Sequence, residues 1–263
     1  MLEWTQQKVL EIAMEQSAID LCCQPEDFLK DGNVAVSSGV REGYRKYLKL
    51  PFFCNLVSYG NNIVASHHPK VKEIVWDYME RFGKVAGFET PNMHVLDDAF
   101  RQYGYRICFM AEYFLPELSV LCPLECGYEL RVLGAEDFGT LYTDQWSNAL
   151  CKDRKELDVL GIGAYDGGEL IGLAGCSADG RDMWQIGVDV LKGYRQKGIA
   201  ASLTSRLAVE ILKRGKVPFY CAAWSNVPSV RNAIKAGFRP AWVEMTAKEE
   251  TYVNELNGVG GIG

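Results

Sequence analysis

The chain has 263 residues, 48% of them hydrophobic and 24% charged, which is the balance of a folded globular protein of one large or two modest domains. A net charge of −6 argues against a broad nucleic-acid surface but is compatible with a local basic site for an anionic cofactor. No charge-free apolar stretch is long enough to span a bilayer, so no membrane association is expected.

The first residues, Met1-Leu2-Glu3-Trp4-Thr5-Gln6-Gln7-Lys8, lack a basic region followed by an apolar one. They are not read as a signal peptide, and the segment through Ile19 reads as an amphipathic helix. Residues 55–58 and 62–66 read as strands around a Gly60-Asn61 turn. Residues 71–82 read as a helix, with Val71, Ile74, Val75, Tyr78 and Met79 on one stripe. Two prolines in residues 115–124, Pro116 and Pro123, mark a linker and divide the chain into 1–124 and 125–263. The nine cysteines, Cys22, Cys23, Cys54, Cys108, Cys122, Cys126, Cys151, Cys176 and Cys221, are odd in number and irregularly spaced. Reduced thiols in a cytoplasmic protein are expected. Cys122 and Cys126 have metal-like spacing, but no histidine or second cysteine pair completes a zinc set, so no metal is expected. With His67, His68 and His94 the only histidines, nothing supports a histidine-based catalytic dyad.

In the second half, residues 128–132 read as a strand and 135–150 as a helical segment. A strand over 158–165, a tight turn at Asp166-Gly167-Gly168 and a returning strand over 169–175 form a hairpin. Gly161, Gly163 and Gly167 have the look of a dinucleotide fingerprint, but no helix follows them. A second turn at Asp179-Gly180 leads to a strand over 183–190. Trp184, Ile186, Val188 and Val190 lie on one face of it, and Gln185, Gly187 and Asp189 on the other. Then a short basic loop opens a helix over 198–214, with Ile199, Leu203, Leu207 and Ile211 on its apolar stripe and Gly215 as its stop. A strand over 218–224, a further helix and a last strand over 239–245 follow. The order implies a mixed sheet, antiparallel first, with a parallel crossover at the ligand site. The loop itself suits phosphate. The first N–H groups of a helix have no internal partners, the helix dipole favours an anion there, Arg195 and Lys197 add charge, and Gly198 lets an anion come close. A basic strand–loop–helix connection with no ligand is the alternative.

Two stretches carry a resemblance. Tyr194-Arg195-Gln196-Lys197-Gly198-Ile199-Ala200 resembles the acyl-CoA loop of GNAT-type N-acetyltransferases, Arg/Gln-x-x-Gly-x-Gly/Ala after a central strand. Residues 224–238, with Asn226 and Gly237-Phe238, look like that family's strand-end Asn, helix and Gly-Phe exit. The resemblance runs from about Tyr128 onward. It implies an α/β (α+β) fold with a GNAT-like mixed sheet flanked by helices, acetyl-CoA as cosubstrate, and a primary amine of a small molecule or peptide as acceptor. By the same resemblance, the backbone of Val188 and Val190 binds the pantetheine arm. Arg195, Gln196, Lys197, Gly198, Ile199 and Ala200 bind the diphosphate, Asn226 contacts the pantetheine, and Ser229 flanks the CoA tail. Ala233 stands where many members carry a tyrosine that protonates the leaving thiolate. The acid is therefore open among Asn232, Ser229 and Tyr220, and the base among Asp189, Glu244 and a water chain, with Gly187 leaving room for an acceptor beside Asp189. Trp146 and Trp184 are candidate linings of the acceptor pocket. A non-catalytic acyl-CoA-binding regulatory protein and a binder of another nucleotide are the competing readings. Residues 89–105, with Asn92 and Gly104, parallel residues 225–238, with Asn226 and Gly237, so the first half reads as a degenerate copy of the same fold. It lacks an Arg-x-x-Gly-x-Ala loop and is not expected to bind CoA.

Overall fold

A computed structural model describes residues 4–258 of the chain. Residues 1–3 of the N-terminal reading lie outside the described residues. In chain order the elements are α1 (Gln6–Leu21), β1 (Val34–Ser37), β2 (Cys54–Ser58), β3 (Val64–His67), α2 (Lys72–Ala86), α3 (Thr90–Arg101) and β4 (Tyr105–Pro116). These are followed by β5 (Glu129–Gly134), β6 (Asp158–Asp166), β7 (Glu169–Ser177), β8 (Met183–Val190), α4 (Ile199–Lys213), β9 (Val217–Ala222), α5 (Val227–Lys235), β10 (Phe238–Glu249) and α6 (Glu250–Leu256). The strands build mixed sheet flanked by helices, the expected class.

The chain forms two compact units, Met1–Ala13 with Tyr113–Pro240, and Met14–Glu112 with Ala241–Gly263. This differs from the expected division into 1–124 and 125–263. The chain changes unit inside α1, β4 and β10. Both strands are 12 residues long, and the boundaries at 112/113 and 240/241 fall within them and not at the proline-bearing segment that follows β4.

In the first unit β5, β6, β7 and β8 form an antiparallel meander, and β9 runs parallel to β8. Gly167 and Gly168 both adopt positive φ, as the two-residue hairpin turn between β6 and β7 requires. α4 packs on β6, β7 and β8. Its stripe of Ile199, Leu203, Leu207 and Ile211 is buried against Ile162, Ile171, Ile186 and Phe238. Each such aliphatic side chain contributes about 1.5–3 kcal/mol on leaving water. The segment expected to be helical over 135–150 holds only single 3-10 turns at Ala135–Asp137 and Asp144–Trp146. Its Phe138, Trp146, Ala149 and Leu150 are buried with Leu133 and Leu173, so contacts with the sheet override local preference. Trp146 is thus a core residue and not a pocket lining.

In the second unit β2 pairs antiparallel with β3 and β10, and β1 lies parallel to β3. α2 and α3 bury Val75, Met79, Leu96 and Phe100 with Leu56, Ile63 and Met245. Gly83, at φ 65°, breaks α2 next to the predicted helix end at 82. β1 and β4 were not foreseen. A buried ionic cluster joins α1, the 45–49 loop and β10. Arg45 donates through Nε to Asp20 and through Nη2 to Glu244 at 2.7 Å, and all three side chains are 4% exposed or less. Trp242 Nε1 also donates to Glu244, at 2.8 Å. Burial pushes the Asp20 carboxyl above its ordinary range, against the lowering effect of Arg45.

Arg45→Ala leaves two buried carboxylates without their cation. The variant is expected to lose about 3–5 kcal/mol of stability, read from urea denaturation midpoints; an unchanged midpoint contradicts the role given to this cluster.

Candidate functional site

The central feature of the first unit is a parting of strands. β8 pairs with β7 as far as Val190, opposite Gly172. Its parallel ladder with β9 covers only Met183, Trp184 and Gln185, opposite Val217, Pro218 and Phe219. Beyond Gln185 one backbone edge of β8 therefore has no strand beside it, and this stretch includes Val188 and Val190. Both valines are partly buried against the core under α4.

The chain leaves β8 through a 3-10 turn at Lys192–Tyr194 and enters α4 through a curled loop. Gln196 has φ 64° and Gly198 φ 83°, and Gly198 is the residue that caps the start of α4. For a residue with a Cβ that left-handed conformation costs about 1–2 kcal/mol, so the curl at Gln196 is enforced by its surroundings. Arg195 Nε donates to the Val190 carbonyl at 3.0 Å, which ties the loop to the strand end. Lys197 Nζ donates to Tyr128 Oη at 3.3 Å and lies 4.9 Å from the Tyr194 ring centroid. Tyr194 Oη in turn donates to Asp166 at 3.0 Å. Among the described residues, the backbone amides of Gly198, Ile199, Ala200 and Ala201 have no hydrogen-bond partner. Arg195, Gln196 and Lys197 are exposed, Gly198 and Ala200 partly so, and Ile199 is buried. Unpartnered amides at the positive end of a 15-residue helix are chemically suited to an anion.

One basic residue beside these amides was missed from the sequence. Lys235, in the last turn of α5, places Nζ 3.6 Å from where a Cβ on Gly198 would stand. Its only sequence signal was its position on the helix that follows the crossover.

Beside the parted strands lies a small polar cluster. Tyr220, on β9 just past the last paired residue, is 5% exposed, and its hydroxyl is 2.8 Å from Ser229 Oγ. Burial raises its pKa, with the hydrogen bonds to Ser229 and Asn232 opposing, so the phenol stays protonated. Asn232 Nδ2 also donates to Thr204 Oγ1 of α4 at 3.1 Å. Asn226 caps α5, its Oδ1 accepting the Ser229 N–H at 3.3 Å. Tyr220, Ser229 and Asn232 are thus brought together, and Ala233 is fully buried beneath them.

The two carboxylates considered as bases are engaged elsewhere. Asp189 accepts the N–H groups of Asn148 and Ala149 at 2.9 and 3.0 Å and the Asn148 side-chain amide at 2.6 Å. It ties the 144–150 segment to the sheet. Gly187 leaves no room for an acceptor, because the Asn148 carbonyl oxygen lies 1.8 Å from where its Cβ would be. Gly175, directly opposite Gly187 in the β7–β8 register, admits the Ala149 carbonyl in the same way, at 2.2 Å. A facing pair of strand glycines is a legible sign of close backbone approach, and it was the missed signal here. Glu244 belongs to the buried cluster with Arg45. Among the described residues no group of three or more His, Cys, Asp or Glu side chains could hold a metal ion.

Gly187→Ala is expected to displace the 148–149 backbone and to lower stability by about 3 kcal/mol, measured by chemical denaturation. Wild-type stability in that variant contradicts the packing described.

A family model described as GNAT acetyltransferase matches residues 73–241, more than half of the chain and beginning well before Tyr128. No curated protein matches the chain. Among solved structures, a GNAT-family protein from Novosphingobium aromaticivorans is 19% identical at a TM-score of 0.41, over 55% of this chain and 66% of that one. This chain therefore spans just under two thirds of that protein's length. A GCN5-related N-acetyltransferase from Sphaerobacter thermophilus is 16% identical at a TM-score of 0.44, over 72% of each chain. An aminoglycoside N-acetyltransferase in complex with CoA is 20% identical at a TM-score of 0.35, over 46% of this chain and 93% of that one. With residues 73–241 matched by the family model, and with the two motif segments inside that range, the chain belongs to the GNAT acetyltransferase family.

Proposed function

We propose that this protein is an N-acetyltransferase that moves an acetyl group from acetyl-CoA to a primary amine of a small molecule or peptide. The observation that carries the reading is the run of unpartnered amides at the start of α4, next to the open edge of β8. The residues present fit the cofactor: the amides and Gly198 suit a diphosphate, and the open edge at Val188 and Val190 suits the amide-bearing pantetheine arm. When bound, acetyl-CoA supplies an activated acyl thioester. The protein's own part is to hold that thioester near an amine and to manage protons. Backbone N–H groups along the open edge donate to the acyl oxygen as charge develops there. Tyr220, protonated and oriented by Ser229 and Asn232, donates toward the departing sulfur. Because Asp189 and Glu244 are tied up in structural bonds, the proton of the amine leaves through water. The nine free cysteines support a cytoplasmic setting. No helix among the described residues is long and apolar enough to cross a membrane.

We read the first half as a degenerate copy that binds no cofactor. α3 leads through Gly104, at φ 73°, into β4, and α5 leads through Gly237, at φ 95°, into β10. Both helices have a proline in their first turn, and both strands are 12 residues long. The Gly104 carbonyl accepts the N–H of Glu250, just after β10, and the Gly237 carbonyl accepts that of Glu117, just after β4. At the β3–α2 junction the side chain of His68 already accepts the Lys70 N–H, and its carbonyl accepts the Val71 N–H.

Thermal denaturation with acetyl-CoA, CoA, ATP and NAD tests the cofactor. A rise with the first two alone is expected, since a ligand of the native state stabilises it by mass action. Arg195→Glu combined with Gly198→Glu should remove that rise while preserving the circular dichroism spectrum. An undiminished rise in the double variant removes the loop assignment. Release of CoA thiol on addition of an amine panel tests catalysis. Tyr220→Phe is expected to lower kcat by roughly 100-fold with little change in acetyl-CoA affinity. An unchanged kcat contradicts the proton-donor role.

A further inference from the structure

Three basic side chains surround the amides at the start of α4, and they are not equivalent. Arg195 uses its Nε proton on the Val190 carbonyl. Lys197 is held by the Tyr128 hydroxyl and the face of Tyr194. Lys235 is exposed and has no hydrogen-bond or ion-pair partner among the described residues, yet its Nζ is the atom nearest to the open side of Gly198. α5 packs against α4, and Asn232, one turn before Lys235, is bonded to Thr204, so the lysine is carried on a fixed helix. An anion bound by the amides of Gly198, Ile199 and Ala200 lies within reach of that ammonium.

We propose that Lys235 is a positioning residue whose ammonium completes the seat for the cofactor's diphosphate, making the site select a diphosphate-bearing thioester over its pantetheine portion alone. The proposal rests on the acetyl-CoA reading above. It also gives Gly198 a second role. The residue must take a left-handed φ, and the side of it that carries no Cβ is the side that Lys235 Nζ faces. A charge-assisted contact of this kind is among the stronger hydrogen bonds, and losing one is commonly a tenfold effect on affinity.

The test is calorimetric titration of the full chain with CoA, 3′-dephospho-CoA and acetyl-pantetheine. Wild type, Lys235→Gln, Lys235→Arg and the remote control Lys152→Gln are compared. The expected result is a loss of about tenfold or more for CoA and for dephospho-CoA in Lys235→Gln, to the same extent for both. Acetyl-pantetheine affinity should be unchanged, Lys235→Arg should recover most of the loss, and Lys152→Gln should match wild type. A loss confined to CoA overturns the proposal by assigning the lysine to the 3′-phosphate. Equal affinities in Lys235→Gln and wild type overturn it outright while leaving the cofactor reading intact. Failure of wild type itself to bind CoA overturns the cofactor reading and this inference with it.

Discussion

A folded chain rarely leaves backbone donors without partners, and two adjoining stretches here do so. After Gln185 the ladder between β8 and β9 ends, and from Gly198 to Ala201 four successive amides are unpartnered among the described residues. The first stretch follows from strand divergence and the second from the geometry of a helix start, which always exposes its first amides. Their adjacency is what the proposed site rests on. A strand edge offers hydrogen bonds in a line, and the helix start at the end of that line offers a focused positive field.

The surrounding packing keeps this arrangement in place. α4 is fixed by its buried stripe, which sets the direction in which its N-terminus points. The opposite face of the meander is closed by the 144–150 backbone, seated over Gly175 and Gly187 and tied down by Asp189. Arg195 bonds the loop back to the end of β8, and Tyr194 bonds it to the β6–β7 turn through Asp166. The charged residues of the loop thus also brace it. Lys235 stands apart because nothing in the described residues engages it.

The sequence was most legible where structure is local. The period of Ile199, Leu203, Leu207 and Ile211, the Asp166-Gly167-Gly168 turn and the Gly198 helix entry each carry their own signal within a few residues, and all appear as read. Legibility failed where distant contacts decide. The 135–150 segment is not a helix, because its apolar residues serve the sheet face and its backbone is held by Asp189 from 40 residues away. β4 was missed because its residues alternate weakly, and its partners are far away in sequence. The division into units could not be read from two prolines, because α1, β4 and β10 each pass through it. Of the candidate site, the loop and the strand end were read from the sequence, and Tyr220, Ser229 and Asn232 were named as separate candidates, not as hydrogen-bonded neighbours. The engagement of Asp189 and Glu244 was not, since composition does not reveal which carboxylates already have partners.

The most direct test of the central claim is amide hydrogen exchange over residues 198–201, followed with and without saturating acetyl-CoA. Strong slowing confined to these amides and to the open edge of β8 is the predicted result. Binding of the cofactor with no change in their exchange would contradict the account.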